Sequence, residues 1–232
     1  MNDSTHPDAE PLHLVVVSAG TGDPSSSRLL ADRVAQKTLD ALRARERAAV
    51  GNVVELAPLA VEIAQAIVSG TPGERLRAAI GQLAAADGVI AVTPVYTAGV
   101  SGLFKSFFDV LDTDLVVAKP VLLGATAGSS RHALVVEDQA RPMFAYLRAL
   151  TAPTSVFAAP EDWSSPALGE RIGRAATELA ALMASGVGEA IADQAWSAYQ
   201  HSFGGNATRA QQSVDDIDFD TPLMRLAAGG TP

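Results

Sequence analysis

The stretch from Leu12 to Arg47, LHLVVVSAGTGDPSSSRLLADRVAQKTLDALRARER, decides the fold. Leu12 to Ser18 is a short β-branched run ending in small residues, the pattern of a strand buried on both faces. The loop AGTGDPSSS follows. From about Ser26 to Arg47, Leu29, Leu30, Val34, Leu39 and Leu42 then recur near the helical period among Arg, Asp and Gln. The unit is strand, small-residue loop, helix.

That unit repeats along the chain. Asn52 to Leu56 predicts a second short strand, and residues 58–72 a short helix and a loop. Thr71-Pro72-Gly73-Glu74 reads as a helix start, with Pro in the first turn and Glu favourable to the dipole, running to about Ala86. Gly88 to Thr93 (GVIAVT) predicts a third buried strand, stopped by Pro94. Residues 101–111, SGLFKSFFDVL, carry apolar groups at helical spacing. Lys119 to Thr126 predicts a fourth strand, Glu137 to Leu150 a helix with Pro142 near its start, and Thr154 to Ala158 a fifth strand. Pro166 to Ser185 predicts a long helix with Leu168, Ile172, Ala176, Leu179 and Met183 along one face. Strands alternating with helices imply an α/β, doubly wound sandwich: a five-stranded parallel sheet, order 2-1-3-4-5, with helices on both faces.

Three segments follow from this pattern: a polar arm at 1–11, one α/β domain at 12–186, and an acidic extension at 187–232. The extension sets Glu189, Asp193, Asp215, Asp216, Asp218 and Asp220 against Arg209 and Arg225. It reads either as a solvated tail or as an arm docking Phe219, Leu223, Met224 and Leu226 on a neighbour.

Composition narrows the function. The chain has 232 residues, 48% hydrophobic and 19% charged, with a net charge of −9. That balance suits one well-buried domain and disfavours a nucleic-acid partner, because no net positive field attracts the polyanion. No cysteine is present, which removes disulfides, thiolate metal sites and a cysteine nucleophile. His6, His13, His132 and His201 show no metal-ligand spacing, so no metal is assigned. Gly99-Val100-Ser101-Gly102-Leu103 is not a hydrolase nucleophile elbow. The chain shows neither a membrane-length apolar segment nor a secretory signal pattern, so the expectation is a cytoplasmic protein with no membrane partner.

In an open parallel sheet, ligands bind beyond the carboxyl ends of the strands where the order reverses, here between strands one and three. The loops at 18–28, 93–101 and 126–132 are rich in Gly, Ser, Thr and Pro. In the first, Ser18, Gly20, Ser25, Ser26 and Ser27 enter a helix N-terminus, whose free N–H groups and positive dipole end make a phosphate seat, with Arg28 as an added charge. One serine suffices for an N-cap, so spare serines are the plainer reading; three in a row after a strand favour phosphate. Gly20-x-Gly22-x-x-Ser25 misses the third glycine of the dinucleotide fingerprint, and Glu55 lies too far along the chain to serve as its acidic partner. In the second loop, Pro94, Val95, Tyr96, Thr97 and Gly99 offer a rigid backbone, a flat face and room for a planar ligand. In the third, Thr126, Ala127, Gly128 and Ser129 let main chain approach a ring edge.

The segments VVVSAGTGDPSSSRLLADR, TPVYTAGVSGLFKSFFDVLD and LLGATAGSSRHALVVEDQARPMFAYLRA together resemble the NAD(P)H-dependent FMN reductases of the flavodoxin-like fold. The resemblance covers about residues 12–160, and Pro-Val-Tyr-Thr-x-Gly-x-Ser-Gly-x-x-Lys at 94–105 is its most specific part. It implies FMN phosphate on the first loop, the isoalloxazine against residues 94–99 and its pyrimidine edge against residues 126–129. It also implies NADPH or NADH as the donor of a hydride to flavin N5, with no side chain assigned as an acid or base. Within the family the chain is most similar to reductases that supply reduced flavin to luciferase-like two-component monooxygenases. The Gly-Ser-x-Arg opening common in the family is replaced here by Ala19-Gly20-Thr21-Gly22.

Two other readings share the fold: a quinone or azo-compound reductase, differing only in electron acceptor, and a flavodoxin-type FMN electron carrier, which is no enzyme. The apolar pattern at 101–111 further suggests a homodimer or homotetramer.

Overall fold

The computed structural model describes residues 10–195. The elements are β1 (Leu12–Ser18), α1 (Ser26–Arg43), β2 (Ala49–Glu55), α2 (Ala60–Ser69), α3 (Glu74–Ala84), β3 (Gly88–Tyr96), β4 (Gly99–Val100), α4 (Gly102–Asp109), β5 (Pro120–Thr126), α5 (Arg141–Tyr146), β6 (Leu150–Thr151), β7 (Val156–Ala158), α6 (Pro166–Ala184) and α7 (Val187–Ala195). The strands lie in the order β2-β1-β3-β5, with β6 and β7 both on the far side of β5 and β4 attached to β3. All pairings are parallel except β3–β4.

Alternate side chains of each strand point to opposite faces, and each face is covered by helices. On one face Val15, Val17, Val89 and Leu123 pack with Ile63 of α2, Leu76 and Leu83 of α3, Phe104, Phe107 and Phe108 of α4, and Phe144 of α5. Phe108 lies 4.8 Å from both Phe104 and Phe144, ring centre to ring centre. On the other face Leu14, Val16, Ile90 and Leu122 pack with Leu30 and Val34 of α1 and with Leu168, Ile172, Leu179 and Met183 of α6. Among the described residues no helix is long and apolar enough to cross a membrane.

Several expectations are corrected. Among the described residues the sheet has seven strands rather than five. The expected 2-1-3-4-5 order survives only if β6 and β7 together count as the fifth strand. Residues 152–155 interrupt that strand because Pro153 has no N–H for a ladder and distant side chains take the polar groups instead. Arg141 donates to Thr151 Oγ1 at 2.8 Å, Ala152 O at 3.1 Å and Pro153 O at 3.3 Å. Glu178 accepts from both the amide and the hydroxyl of Thr154.

Pro94 does not stop β3. It pairs with Thr126 and the strand runs on to Tyr96, because proline removes a donor but keeps an extended φ. Pro72 lies outside α3, whose N-cap is Gly73; the carboxylate of Glu62 supplies the capping acceptor, 2.9 Å from the Leu76 amide. α1 ends at Arg43 rather than Arg47, since the chain turns through Glu46 at a φ of 58°. The helix expected over 137–150 is a widened turn at Val136–Ala140 followed by the short α5.

On the 101–111 helix Phe104, Phe107, Phe108 and Leu111 are buried within the chain itself, and Leu103 is partly buried. The start of the acidic extension is α7. The rest of it, with Phe219, Leu223, Met224 and Leu226, lies outside the described residues, as does most of the 1–11 arm.

Glu137, which accepts from Arg141 and from Ser155 Oγ at 2.6 Å, helps hold the interrupted strand. The Arg141 guanidinium above all, and the Ser155 hydroxyl less, keep its carboxyl below the usual carboxylate range. A depressed folded value adds stability above the ordinary carboxylate pKa and loses it as pH falls through the folded value. Glu137→Gln is therefore expected to be less stable than wild type at neutral pH, by about 1 kcal/mol or less for so exposed a pair. The gap closes below about pH 4, as urea melts across that range would show.

Candidate functional site

Because β1, β3 and β5 are mutually parallel, their carboxyl ends open on one edge of the sheet. The loops leaving them meet around a cleft of about 300 Å³. Strand order reverses at the β1–β3 boundary, the place where such sheets bind ligands.

The first loop is tied down by Ala19, whose amide donates to Val92 O at 3.0 Å. Gly20 then passes so close to Ser25 that a Cβ there would fall 1.9 Å from Ser25 Oγ. That hydroxyl is the N-cap of α1 and accepts from the Arg28 amide at 3.2 Å. The first intrahelical bond is Leu29 N to Ser25 O, so the amides of Ser26 and Ser27 precede the ladder at the positive end of the helix. Ser27 is buried and its hydroxyl meets Thr126 Oγ1 at 2.7 Å, joining the first loop to the third. Thr21 Oγ1 lies 3.1 Å from Tyr96 OH, joining the first loop to the second.

The second loop leaves β3 as a hairpin. Thr97 and Ala98 take φ values of 49° and 59°, the paired left-handed conformations of a type I′ turn. For residues other than Gly or Asn this costs about 1–2 kcal/mol each. Thr93 Oγ1 accepts from Ser101 N at 3.0 Å and donates to Pro94 O at 2.8 Å, while Ser101 Oγ caps α4 by accepting from Phe104 N at 3.1 Å. The third loop is locked to β7 by Ala127 N donating to Ala158 O at 3.2 Å, and open space surrounds Gly128.

Of the residues singled out from sequence, Gly20, Ser25, Ser26, Ser27, Pro94, Val95, Tyr96, Thr126, Ala127 and Gly128 line this cleft. The others do not. Ser18 is buried at the end of β1, its carbonyl accepting from Leu56 N. Arg28 turns away to Asp32 at 2.8 Å and Glu55 at 2.9 Å. Those carboxylates, Asp32 first, hold its guanidinium more firmly protonated than usual and consume its charge. Thr97 and Gly99 build the hairpin rather than the wall. Ser129 Oγ accepts from Arg131 Nε at 3.3 Å.

Sequence reasoning missed Thr21, Gly22, Pro24, Ala158, Pro160 and Trp163, which also line the cleft. The first three stand in a loop already marked by its glycines. Ala158 ends the fifth strand and Pro160 and Trp163 follow it, where the carboxyl-end rule applied equally. Behind Trp163, the Arg33 guanidinium sits 5.2 Å from the ring centre.

Among the described residues the lining carries no charged side chain. Its donors are hydroxyls and the first amides of an 18-residue helix, the chemistry of an anion seat without a cation. Beside that seat stand a half-exposed tyrosine and small residues, which suit a planar ring. This donor set fits a phosphate-bearing flavin.

The strand order and flanking helices define an α/β protein of the flavodoxin-like class. The family model for NADPH-dependent FMN reductase matches residues 12–164, and the chain belongs to that family. It is 36% identical over 171 residues to the NADH-dependent FMN reductase SfnE of Pseudomonas putida, covering 72% of this chain and 89% of that protein. A solved oxidoreductase from Corynebacterium diphtheriae superposes with a TM-score of 0.74 at 40% identity, over 76% of this chain and 99% of that one. A flavodoxin-type, WrbA-like protein from Agrobacterium tumefaciens shares the fold, with a TM-score of 0.52 at 17% identity, over 75% and 96% of the two chains. The chain is thus an oxidoreductase of FMN and NAD(P)H.

The buried hydroxyl pair gives a direct test of how the site is built. Ser27→Ala leaves the largely buried Thr126 hydroxyl without its partner and is expected to cost about 1 kcal/mol of stability by urea unfolding. Thr126→Val together with Ser27→Ala should recover part of that loss, since removing both partners costs less than orphaning one.

Proposed function

We propose that the chain reduces FMN with NAD(P)H in this cleft and releases reduced flavin to a flavin-dependent monooxygenase. The observation that carries the reading is the convergence of the α1 N-terminus, Pro94–Tyr96 and Thr126–Gly128 on one cleft at the β1–β3 reversal. The phosphate is assigned to the Ser26 and Ser27 amides and the hydroxyls of Thr21, Ser25 and Ser26, the ring to the Pro94–Tyr96 wall, and its edge to Ala127 and Gly128. FMN when bound supplies the redox chemistry, accepting a hydride equivalent at N5 from the nicotinamide.

The protein's own part is orientation. The Ser27–Thr126 and Thr21–Tyr96 contacts fix the spacing of the three loops before any ligand enters, so little ordering remains to be done on binding. Main chain at Gly128 can approach a ring edge closely and stabilise negative charge there. In this reading residues 12–186 are the FMN-binding domain, flanked by an arm at 1–11 and an acidic extension at 187–232. The reaction belongs in the cytoplasm, where reduced nicotinamide is available. Assembly as a homodimer or homotetramer is supported by exposed apolar side chains on α2 and α5, Val61, Val68 and Tyr146. The monooxygenase role rests on the sequence resemblance.

The test is oxidation of NADPH and of NADH, followed by absorbance with FMN added and then omitted. Rapid oxidation that depends on FMN is expected. Tight FMN binding without oxidation of either nucleotide would instead mark an electron carrier. Ser25→Ala with Ser26→Ala is expected to weaken FMN binding about tenfold or more, by the loss of hydroxyl donors to a charged group; an unchanged dissociation constant would place the phosphate elsewhere.

A further inference from the structure

We propose that Gln139 is a positioning residue of the flavin site: its carboxamide holds the Tyr96–Gly99 turn in a conformation the turn's own residues disfavour, and thereby holds Tyr96 at the cleft wall. This rests on the reading of the cleft as an FMN site, and nothing in the sequence pattern marked Gln139.

Type I′ turns favour Asn-Gly or Gly-Gly because both central residues need positive φ. Here the pair is Thr97-Ala98, at 49° and 59°, and a β-branched residue there is an outlier. The hairpin beyond it is minimal, with Val95 opposite Val100 and Tyr96 opposite Gly99. So short a ribbon does not hold itself.

The missing restraint comes from about forty residues further along the chain. Gln139 Nε2 donates to Ala98 O at 3.0 Å, and Gln139 Oε1 accepts from Val100 N at 3.2 Å. A side-chain amide can give and take in this way, whereas a carboxylate accepts only and an ammonium donates only. Gly99 keeps the space for it, since a Cβ there would fall 2.9 Å from Gln139 Oε1. The base of the clamp is fixed by Val136 and Ala140, both buried in the core. Gln139 does not itself line the cleft; Tyr96 does, and its hydroxyl spans to Thr21. The amide therefore acts on the ligand through the turn.

When a binding-competent conformer is only partly populated, the apparent dissociation constant rises by the inverse of its fraction. Releasing the clamp lets the turn leave the left-handed region, so Gln139→Ala is expected to raise the FMN dissociation constant about tenfold. KM for FMN should rise in parallel, while kcat at saturating FMN stays within about twofold. Gln139→Glu keeps the length but cannot donate to Ala98 O, and should lose affinity as alanine does.

Thr97→Asn with Ala98→Gly supplies the decisive background, because Asn-Gly takes the paired positive φ of this turn readily and the clamp becomes redundant. In that background Gln139→Ala should raise the dissociation constant by less than about threefold. FMN fluorescence titrations of wild type, Gln139→Ala, the Thr97→Asn/Ala98→Gly turn variant and the combination of all three substitutions give the cycle, with circular dichroism melts confirming that each is folded. Wild-type affinity in Gln139→Ala, or a loss of equal size in both backgrounds, would overturn the proposal. Absence of FMN binding by the wild-type chain would overturn the reading of the cleft itself, and shows before any variant is compared.

Discussion

Two parallel strands cannot be joined by a tight turn, so the links from β1 to β2, β2 to β3, β3 to β5 and β5 to β6 must each leave at a carboxyl end and return over a face. In this chain that constraint sends the loops after β1, β3 and β5 to one edge, and the buried Ser27–Thr126 hydroxyl pair fixes how far apart the first and third stand. The cleft is the space left between them. Its depth depends on Gly20, because only a residue without a side chain lets the loop fold against Ser25 and still leave that serine to cap α1.

The electrostatics follow from the same arrangement. A chain with net charge −9 offers a phosphate little attraction at long range. The field that matters is local, from the unpaired amides at the start of α1. Arg28, one turn into that helix, is withheld from the seat by Asp32 and Glu55. A neutral, hydroxyl-lined seat can hold an anion without forming a buried ion pair.

The core elements were legible because their signals are local. β1, β3 and β5 are unbroken apolar runs, and α1 and α6 carry apolar stripes at the helical period. What escaped the sequence depends on partners far along the chain. Pro94 reads as a stop, yet β3 continues past it because β4 returns to pair with Val95 and Tyr96. The fifth strand divides because Arg141 and Glu178 take the polar groups of residues 151–154. The site divides along the same line. Loops rich in small residues declare themselves as ligand-facing, and most of the residues chosen from them line the cleft. Arg28 misled because a cation at a helix start looks like a phosphate ligand until Glu55, from another strand, is seen beside it. Trp163 was missed because no small-residue loop announces it.

The central claim is that the α1 N-terminus seats a phosphate while the Pro94–Tyr96 wall takes the ring. Comparing FMN with riboflavin isolates the first half of that claim, because the two ligands share the ring and differ at the phosphate. Fluorescence titration is expected to show FMN binding at least about tenfold more tightly, a difference of about 1.4 kcal/mol. Equal affinities would mean that the phosphate gains nothing from Ser26, Ser27 and the helix end, and would contradict the account.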